Sequence, residues 1–295
     1  MIARMLYNVR HTTTYFYSDP VSLCQNQIRV RPRETPSQRS LKCEIEIFPE
    51  PIFSKDWQDD FGNGVRYVSI EHPHQQLTVT ARSVVESHPA PPPDENQTLP
   101  WEEVRDLLVD AQSGEEFEAV QFRYESPFIR FLEEAREYGL TSFTPGRPIL
   151  EGALDLTARI HNDFKYAPSS TAITTTTAEV FRQRCGVCQD FAHLQITVLR
   201  ELGLAARYVS GYLLTEPPPG KPKLIGADAS HAWLSVFVPE YGWVDLDPTN
   251  NVIPNGRHVT VAWGRDYSDV SPIKGVYVGG GTHTMHVAVD VSPQQ

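Results

Sequence analysis

Between residues 187 and 202 the apolar positions recur with the period of a helix. The spacings are four, three, four and four, with a glycine following at 203, and the positions are Val187, Phe191, Leu194, Val198 and Leu202. Because an α-helix repeats about every 3.6 residues, these side chains share one face. Glycine just after such a run is a common stop signal. The pattern predicts an amphipathic helix with Cys188 in its first turn.

Residues 231–238 and 243–247 alternate between polar and apolar positions, which predicts two strands. One face of the pair carries His231, Trp233 and Ser235 from the first strand and Trp243, Asp245 and Asp247 from the second. The short connection between the strands favours a hairpin. If an odd loop of five residues pairs Phe237 with Trp243, His231 and Asp247 become diagonal neighbours about 7–8 Å apart. An even loop would put them on opposite faces.

The rest of the chain divides by its pattern into four segments. They are an antiparallel β domain at 1–86, a Pro-rich linker at 87–100, a core at 101–258 and C-terminal strands at 259–295. Helical patterns cover 101–108, 126–138 and 149–164, ahead of the helix of Cys188. Helices followed by strands predict an α+β core. Whether the last strands pack back on the first domain stays open.

A cysteine at the start of a helix is well placed for nucleophilic chemistry. Unpaired backbone N–H groups and the positive end of the helix dipole favour a thiolate there, and they can stabilise an oxyanion. We assign Cys188 as nucleophile, His231 as base and Asp247 as the group that orients the imidazole. Asp245 is the fallback orienter. His193 is a poor base, because five residues along a helix place it about 140° around from Cys188.

Four stretches around these residues resemble the bacterial transglutaminase-like proteins of the predicted cysteine protease type. They read RCGVCQDFAH at 184–193, ARYVSGY at 206–212, SHAW at 230–233 and GWVDLDPTN at 242–250. Further stretches read HTTTY at 11–15, RVRP at 29–32 and GRDYSDV at 264–270, so the resemblance covers essentially the whole chain. It implies a papain/transglutaminase-like cysteine protease core behind an N-terminal antiparallel β domain, with Cys188, His231 and Asp247 as catalytic triad.

The cysteines also allow a metal or redox interpretation. Cys185 and Cys188 have Cys-x-x-Cys spacing, which fits half of a zinc site or a redox pair. A zinc site needs two more ligands, and Cys24 and Cys43 lie singly far up the chain. We therefore expect no metal, whereas a redox role for Cys185 stays open.

Three aromatic residues are candidates for substrate binding: Tyr166, Trp233 and Trp243. The two tryptophans fit ordinary packing across strands equally well. Asp190 is interpreted as a carboxylate that complements the helix dipole. The Pro-rich segment 217–226 precedes His231 and is expected to be an irregular loop that shapes substrate access.

Composition excludes several function classes. The 295 residues carry 37 acidic side chains against 26 Lys and Arg, a formal net charge of −11. Nucleic-acid binding needs concentrated positive charge, so no nucleic-acid partner is expected. No run is apolar and long enough to span a bilayer, and the N-terminus lacks a signal-peptide pattern. We expect no membrane partner, no cofactor and a cytoplasmic location; oligomeric state is not predicted.

These observations predict thiol-dependent acyl transfer through a Cys188 thioester, with a peptide or protein amide as substrate. Hydrolysis by water, as in a cysteine peptidase or amidase acting on a peptide or isopeptide bond, is the leading expectation. Transfer to a lysine-like amine, as in a protein-glutamine crosslinking transglutaminase, is the alternative. A noncatalytic binding or scaffold module is a third hypothesis from another class.

Overall fold

The computed structural model describes residues 4–88, 90–168, 170–215 and 230–294. Its strands are β1 (Met5–Ile28), β2 (Gln38–Phe48), β3 (Phe53–Gln58), β4 (Gly64–Ile70), β5 (His74–Ser87), β6 (Lys165–Tyr166), β7 (Cys185–Gly186), β8 (Ala206–Leu213), β9 (Ser230–Val238), β10 (Gly242–Leu246), β11 (His258–Gly264), β12 (Ile273–Gly279) and β13 (His283–Pro293). Its α-helices are α1 (Trp101–Val109), α2 (Gly114–Val120), α3 (Glu133–Leu140), α4 (Ile149–Asp163), α5 (Thr177–Gln183), α6 (Cys188–Glu201) and α7 (Tyr267–Val270). Two single turns of 3₁₀ helix cover Glu95–Gln97 and Gln121–Arg123.

The long strand β1 organises the N-terminal sheet. One edge of β1 pairs with β5 and then β4, and its other edge pairs with β13 and then β12, all antiparallel. The glycines at 279–281 all have positive φ angles, a conformation that costs glycine little. These glycines join β12 and β13, which follow one another along the same edge of β1.

Helix α6 lies at the centre of the core against a four-stranded antiparallel sheet of order β10-β9-β8-β11. The helical period predicted one buried face, yet every residue from Asp190 to Arg200 is buried. The second face is covered by other helices: Gln195 donates hydrogen bonds to Ala153 and Thr157 of α4. Gly139 of α3 lies so close that an added Cβ would sit 2.5 Å from Val198. Helix packing therefore encloses the segment that starts at Cys188.

Two side-chain amides attach the N-terminal sheet to strand β11. Gln38 donates to the carbonyl of Thr260 at 2.8 Å and accepts from its N–H at 2.8 Å. Asn63 makes the same pair of bonds to the backbone of Trp263, at 2.8 and 3.0 Å. Because β11 is an edge strand, its free backbone groups need partners. These two amide clamps supply them in place of another strand.

The structure corrects two boundaries. The predicted core ended at residue 258, but β11 (His258–Gly264) pairs with β8 and belongs to the core sheet. The other two strands described after residue 258, β12 and β13, pair with β1 in the N-terminal sheet. The helix predicted from residue 126 starts at Glu133, since Ser126 and Ile129 form a turn with an isolated bridge. The loop predicted at 217–226 lies outside the described residues. No helix in the described parts of the chain is long and apolar enough to cross a membrane.

Candidate active site

The first turn of α6 presents Cys188. The N–H of Val187 donates to Asp190 Oδ2 at 2.8 Å, and the Thr171 hydroxyl donates to the same oxygen at 2.7 Å. A Cβ added to Gly186 would lie 2.8 Å from Asp190 Cβ, so glycine is needed for this approach. Burial raises the pKa of Asp190, against the two hydrogen bonds. Asp190 thus stabilises the start of α6, which agrees with the structural role expected from the sequence. The first N–H groups of the helix have no acceptors within the helix.

The hairpin register brings His231 and Asp247 together. Phe237 pairs with Trp243, so of the two loop parities that the sequence left open, the structure has the odd one. Asp247 then follows the end of β10 on the same face as His231. The Nε2 atom of His231 lies 2.7 Å from Asp247 Oδ2. The diagonal pair is therefore joined by a direct hydrogen bond.

Cys188 is the second group that acts on His231. It is near enough to raise the pKa of the imidazole, and because Nε2 is engaged by Asp247, Nδ1 is the ring nitrogen left for the sulfur. Burial lowers the pKa of His231, but the hydrogen bond to Asp247 and the interactions with the Asp247 and Cys188 side chains outweigh it and raise this pKa to about 10. The geometry thus favours an imidazolium between two acceptors.

Asp247 is fully buried and surrounded by donors. Its Oδ1 accepts the backbone N–H groups of Thr249 and Asn250 at 3.0 and 3.2 Å. Its Oδ2 accepts from His231, from the Asn250 amide at 2.7 Å and from His258 Nε2 at 2.9 Å. Burial alone would raise the pKa of Asp247, but these hydrogen bonds and the His231 charge hold it well below its usual range. The carboxylate is stabilised in its ionised form.

His258 and the Asn250 amide contact Asp247 without having been assigned a role from the sequence. His258 lies between the resembling stretches at 242–250 and 264–270 and within no recognisable motif. His231, Asp247 and His258 form a group in the described residues whose ligand atoms lie within 4.8 Å of one another, close enough for a metal ion. However, both imidazoles approach one oxygen at 2.7 and 2.9 Å, which are hydrogen-bond lengths. The arrangement is that of donors around one acceptor.

The fallback orienter and the two tryptophans have other contacts. Asp245 accepts from Trp233 Nε1 at 3.0 Å and from the Ser235 hydroxyl at 2.5 Å, so it does not serve the imidazole. Trp233 is 0% exposed and cannot touch a substrate in this structure. Trp243 packs edge-on against Phe122 and Phe237, far along the hairpin from His231. Both tryptophans take part in packing of the sheet, and the buried Trp233 departs from the substrate-binding prediction.

Tyr166 lies beside the cysteine. Its side chain is 50% exposed, and β6, which carries it, pairs in parallel with β7 just before Cys188. Burial and the neighbouring Cys188 both raise the pKa of Tyr166. Tyr166 therefore has the open surface near the sulfur that the tryptophans lack.

All four cysteines are free. Cys24 and Cys43 lie in β1 and β2 of the N-terminal sheet.

Comparison with known families agrees with this geometry. Residues 7–86 match the bacterial transglutaminase-like N-terminal region, and residues 141–248 match the transglutaminase-like superfamily. The chain belongs to the transglutaminase-like superfamily. The second match contains Cys188, His231 and Asp247, and the first covers most of the N-terminal sheet. The expected α+β core with an antiparallel N-terminal β region is therefore confirmed.

Three relatives show how far the similarity extends. An uncharacterized protein of Mycobacterium tuberculosis is 41% identical over 97% of this chain and 92% of its own. A protein-glutamine gamma-glutamyltransferase of Pseudomonas aeruginosa is 36% identical over 32% of this chain and 14% of its own. A solved structure of a candidate cysteine protease from Cytophaga hutchinsonii superposes with a TM-score of 0.78 at 20% identity, covering 99% of this chain and 92% of that one. The last likeness shows the fold.

Proposed function

We propose that this member of the superfamily is a cysteine-dependent amidase or peptidase that acts on peptide or protein amides through a thioester. The observation that carries the proposal is the direct hydrogen bond between His231 and Asp247, beside a cysteine at the start of α6 that is near enough to raise the pKa of His231. A nucleophile, a base and an orienter in this relation are the requirements of thiol acyl transfer.

In the proposed reaction the Cys188 sulfur attacks the amide carbonyl carbon. N–H groups at the start of α6 stabilise the oxyanion that forms. His231 then donates its proton to the leaving amine as the C–N bond breaks, which leaves a thioester on Cys188. Neutral His231 next takes a proton from water, whose oxygen attacks the thioester and releases the acid and the thiolate. Asp247 keeps the imidazole oriented through both steps.

Transfer to an amine is the second candidate. It is favoured by the partial match to the Pseudomonas aeruginosa protein-glutamine gamma-glutamyltransferase, which covers a third of this chain. A lysine-like amine would then replace water as the acceptor, with no other change in the roles of the three residues.

The proposal places the protein in the cytoplasm, a reducing compartment, because the reaction uses a free thiol and Cys188 forms no disulfide.

Intact mass spectrometry tests the proposal. Wild-type protein, Cys188→Ala and Cys185→Ala are each incubated with a pool of peptide amides, with and without a primary amine. We expect acyl adducts or hydrolysed peptides with the wild type and Cys185→Ala, and neither with Cys188→Ala. Incorporation of the amine in place of water would decide for the transglutaminase. Identical results from wild type and Cys188→Ala would contradict acyl transfer and support a noncatalytic scaffold.

A further inference from the structure

One oxygen of Asp247 receives N–H groups from two different histidines. His231 approaches Oδ2 from β9 at 2.7 Å, and His258 approaches it from β11 at 2.9 Å. Strands β9 and β11 lie on opposite sides of β8. The second imidazole is thus brought to the carboxylate by a separate part of the sheet.

The surroundings of His258 show which proton it carries. Its side chain is 7% exposed, and its ring meets Trp233 edge to face at 5.1 Å. Its Nδ1 is buried without a hydrogen-bond partner in the described residues. A bare Nδ1 costs less there than an N–H would, since buried donors require acceptors. His258 therefore presents its Nε2–H to Asp247 as a donor.

The orientation of the Asp247 carboxylate is set by the donors around it. The last torsion of an aspartate side chain has a broad energy profile, so its oxygens are placed mainly by their hydrogen bonds. The turn after β10 holds Oδ1 through Thr249 and Asn250. At Oδ2, the Asn250 amide also contacts His231 Nε2 at 3.3 Å, so it sits on the same side as the base. His258 is the donor that reaches Oδ2 from β11.

We propose that His258 is a positioning residue that holds the Asp247 carboxylate against His231 by donating its Nε2–H to the oxygen that His231 shares. The inference deepens the proposed function and rests on it, because His231 acts there as the base. Loss of the His258 donor should let the carboxylate rotate away and weaken its bond to the imidazolium. The hydrogen bond from His258 is also among the contacts that lower the pKa of Asp247.

Titratable and charged groups near the contact between Asp247 and His258 come from β9, α6, β10 and β8. His231 lies on β9, and Cys188 of α6 adjoins the pair through His231. On β10, Asp245 bonds to Trp233 and Ser235 rather than to the imidazole. Arg207 of β8 lies near Asp245 and is stacked between Trp243 and Trp263. His258 on β11 is thus the second titratable donor in direct contact with Asp247 among the described residues.

Nuclear magnetic resonance of ¹⁵N-histidine-labelled full-length protein tests the proposal without a substrate. The titration of His231 is followed in wild type, His258→Leu and His258→Gln, whose amide can replace the Nε2–H donor. We expect the leucine variant to lower the pKa of His231 by about one unit, the size expected when one hydrogen bond to an ionic pair is weakened. The glutamine variant should restore most of it. Wild-type spectra should show His258 protonated on Nε2 and bare at Nδ1.

His161→Leu is the matched control. His161 Nδ1 lies 2.9 Å from the Thr249 carbonyl, so it contacts the same turn without touching the carboxylate, and its loss should leave the His231 titration unchanged. If His258→Leu does not fold, His258→Asn takes its place, because the shorter amide stops short of Oδ2. An unchanged His231 pKa, a raised one, or equal shifts in the leucine and glutamine variants would overturn the proposal. Because no acyl transfer is measured, this result is independent of the peptide-amide experiment.

Discussion

The β9–β10 hairpin and strand β11 meet at the Asp247 carboxylate. The hairpin supplies His231 and Asp247, and β11 supplies His258. The two regions are brought there by different contacts. Within the hairpin, His231 and Asp247 are 16 residues apart, and one turn length decides that they meet. Strand β11 is held by Gln38, 222 residues away in sequence. The comparison teaches that the base and its orienter form a local unit, whereas the contact from His258 depends on β11, which pairs with β8 and bonds to the N-terminal sheet.

Breaking the local unit should have the largest effect. Asp247→Asn removes the negative charge that stabilises the imidazolium, and we expect amide turnover to fall by about 10²–10⁴-fold, the usual weight of general acid–base catalysis. Asp245→Asn is the matched control on the same strand, since Asp245 bonds to Trp233 and Ser235 instead. Its turnover should stay within a few-fold of wild type. Equal losses of turnover in the two variants would show that activity depends on the integrity of the hairpin and not on the charge of Asp247.

Acid should weaken the attachment of the N-terminal sheet before it affects the hairpin pair. Burial lowers the pKa of His11 from 6.5 to about 4, and His11 contacts the Tyr212 hydroxyl of β8 at 2.7 Å. Because its folded pKa is depressed, the neutral imidazole favours folding above pH 6.5, and this is lost as the pH falls towards 4. The linkage is worth about 3 kcal/mol.

Denaturant unfolding at pH 7, 5.5 and 4.5 measures this effect, with His11→Gln as the variant that cannot titrate. We expect the wild type to lose more stability over this interval than the variant does. His193 contributes in the same direction in both proteins, since burial lowers its pKa to about 4 as well. The same pH dependence in wild type and variant would exclude His11 as a source of the acid sensitivity.

Removing the Gln38 side-chain amide, which bonds to Thr260 of β11, should have the smallest effect on the site. It tests whether the N-terminal sheet influences His231 through β11. Gln38→Leu leaves the N–H and carbonyl of Thr260 without their amide partner, so the free energy of unfolding should fall by about 1–3 kcal/mol. The pKa of His231 should move down as in His258→Leu, but by less. Gln76→Leu is the control, because Gln76 is exposed and bonds to Thr78 of its own strand. If Gln38→Leu lowers the stability but leaves the pKa of His231 unchanged, the bonds of Gln38 to β11 do not influence the site.

Sequence reasoning failed where a second layer of packing decides the outcome. The period of α6 identified one buried face, but helices on the other side bury the rest. Trp233 alternates correctly with its neighbours, yet its exposure depends on what covers that face. It lies over Gly211, where an added Cβ would sit 2.5 Å from the indole. Neither fact is contained in the spacing of residues along one element.

The sequence by itself determined the start of α6 near Cys188 and the two strands of the hairpin that places His231 and Asp247, and it limited the hairpin to two registers. Each follows from a period or a turn length over fewer than about 20 residues, which local backbone geometry sets. Only the tertiary structure decided that His258 reaches Asp247, because β11 is placed by its pairing with β8 and its amide clamps to the N-terminal sheet. Contacts between such distant segments depend on how whole layers pack, and no local pattern encodes that.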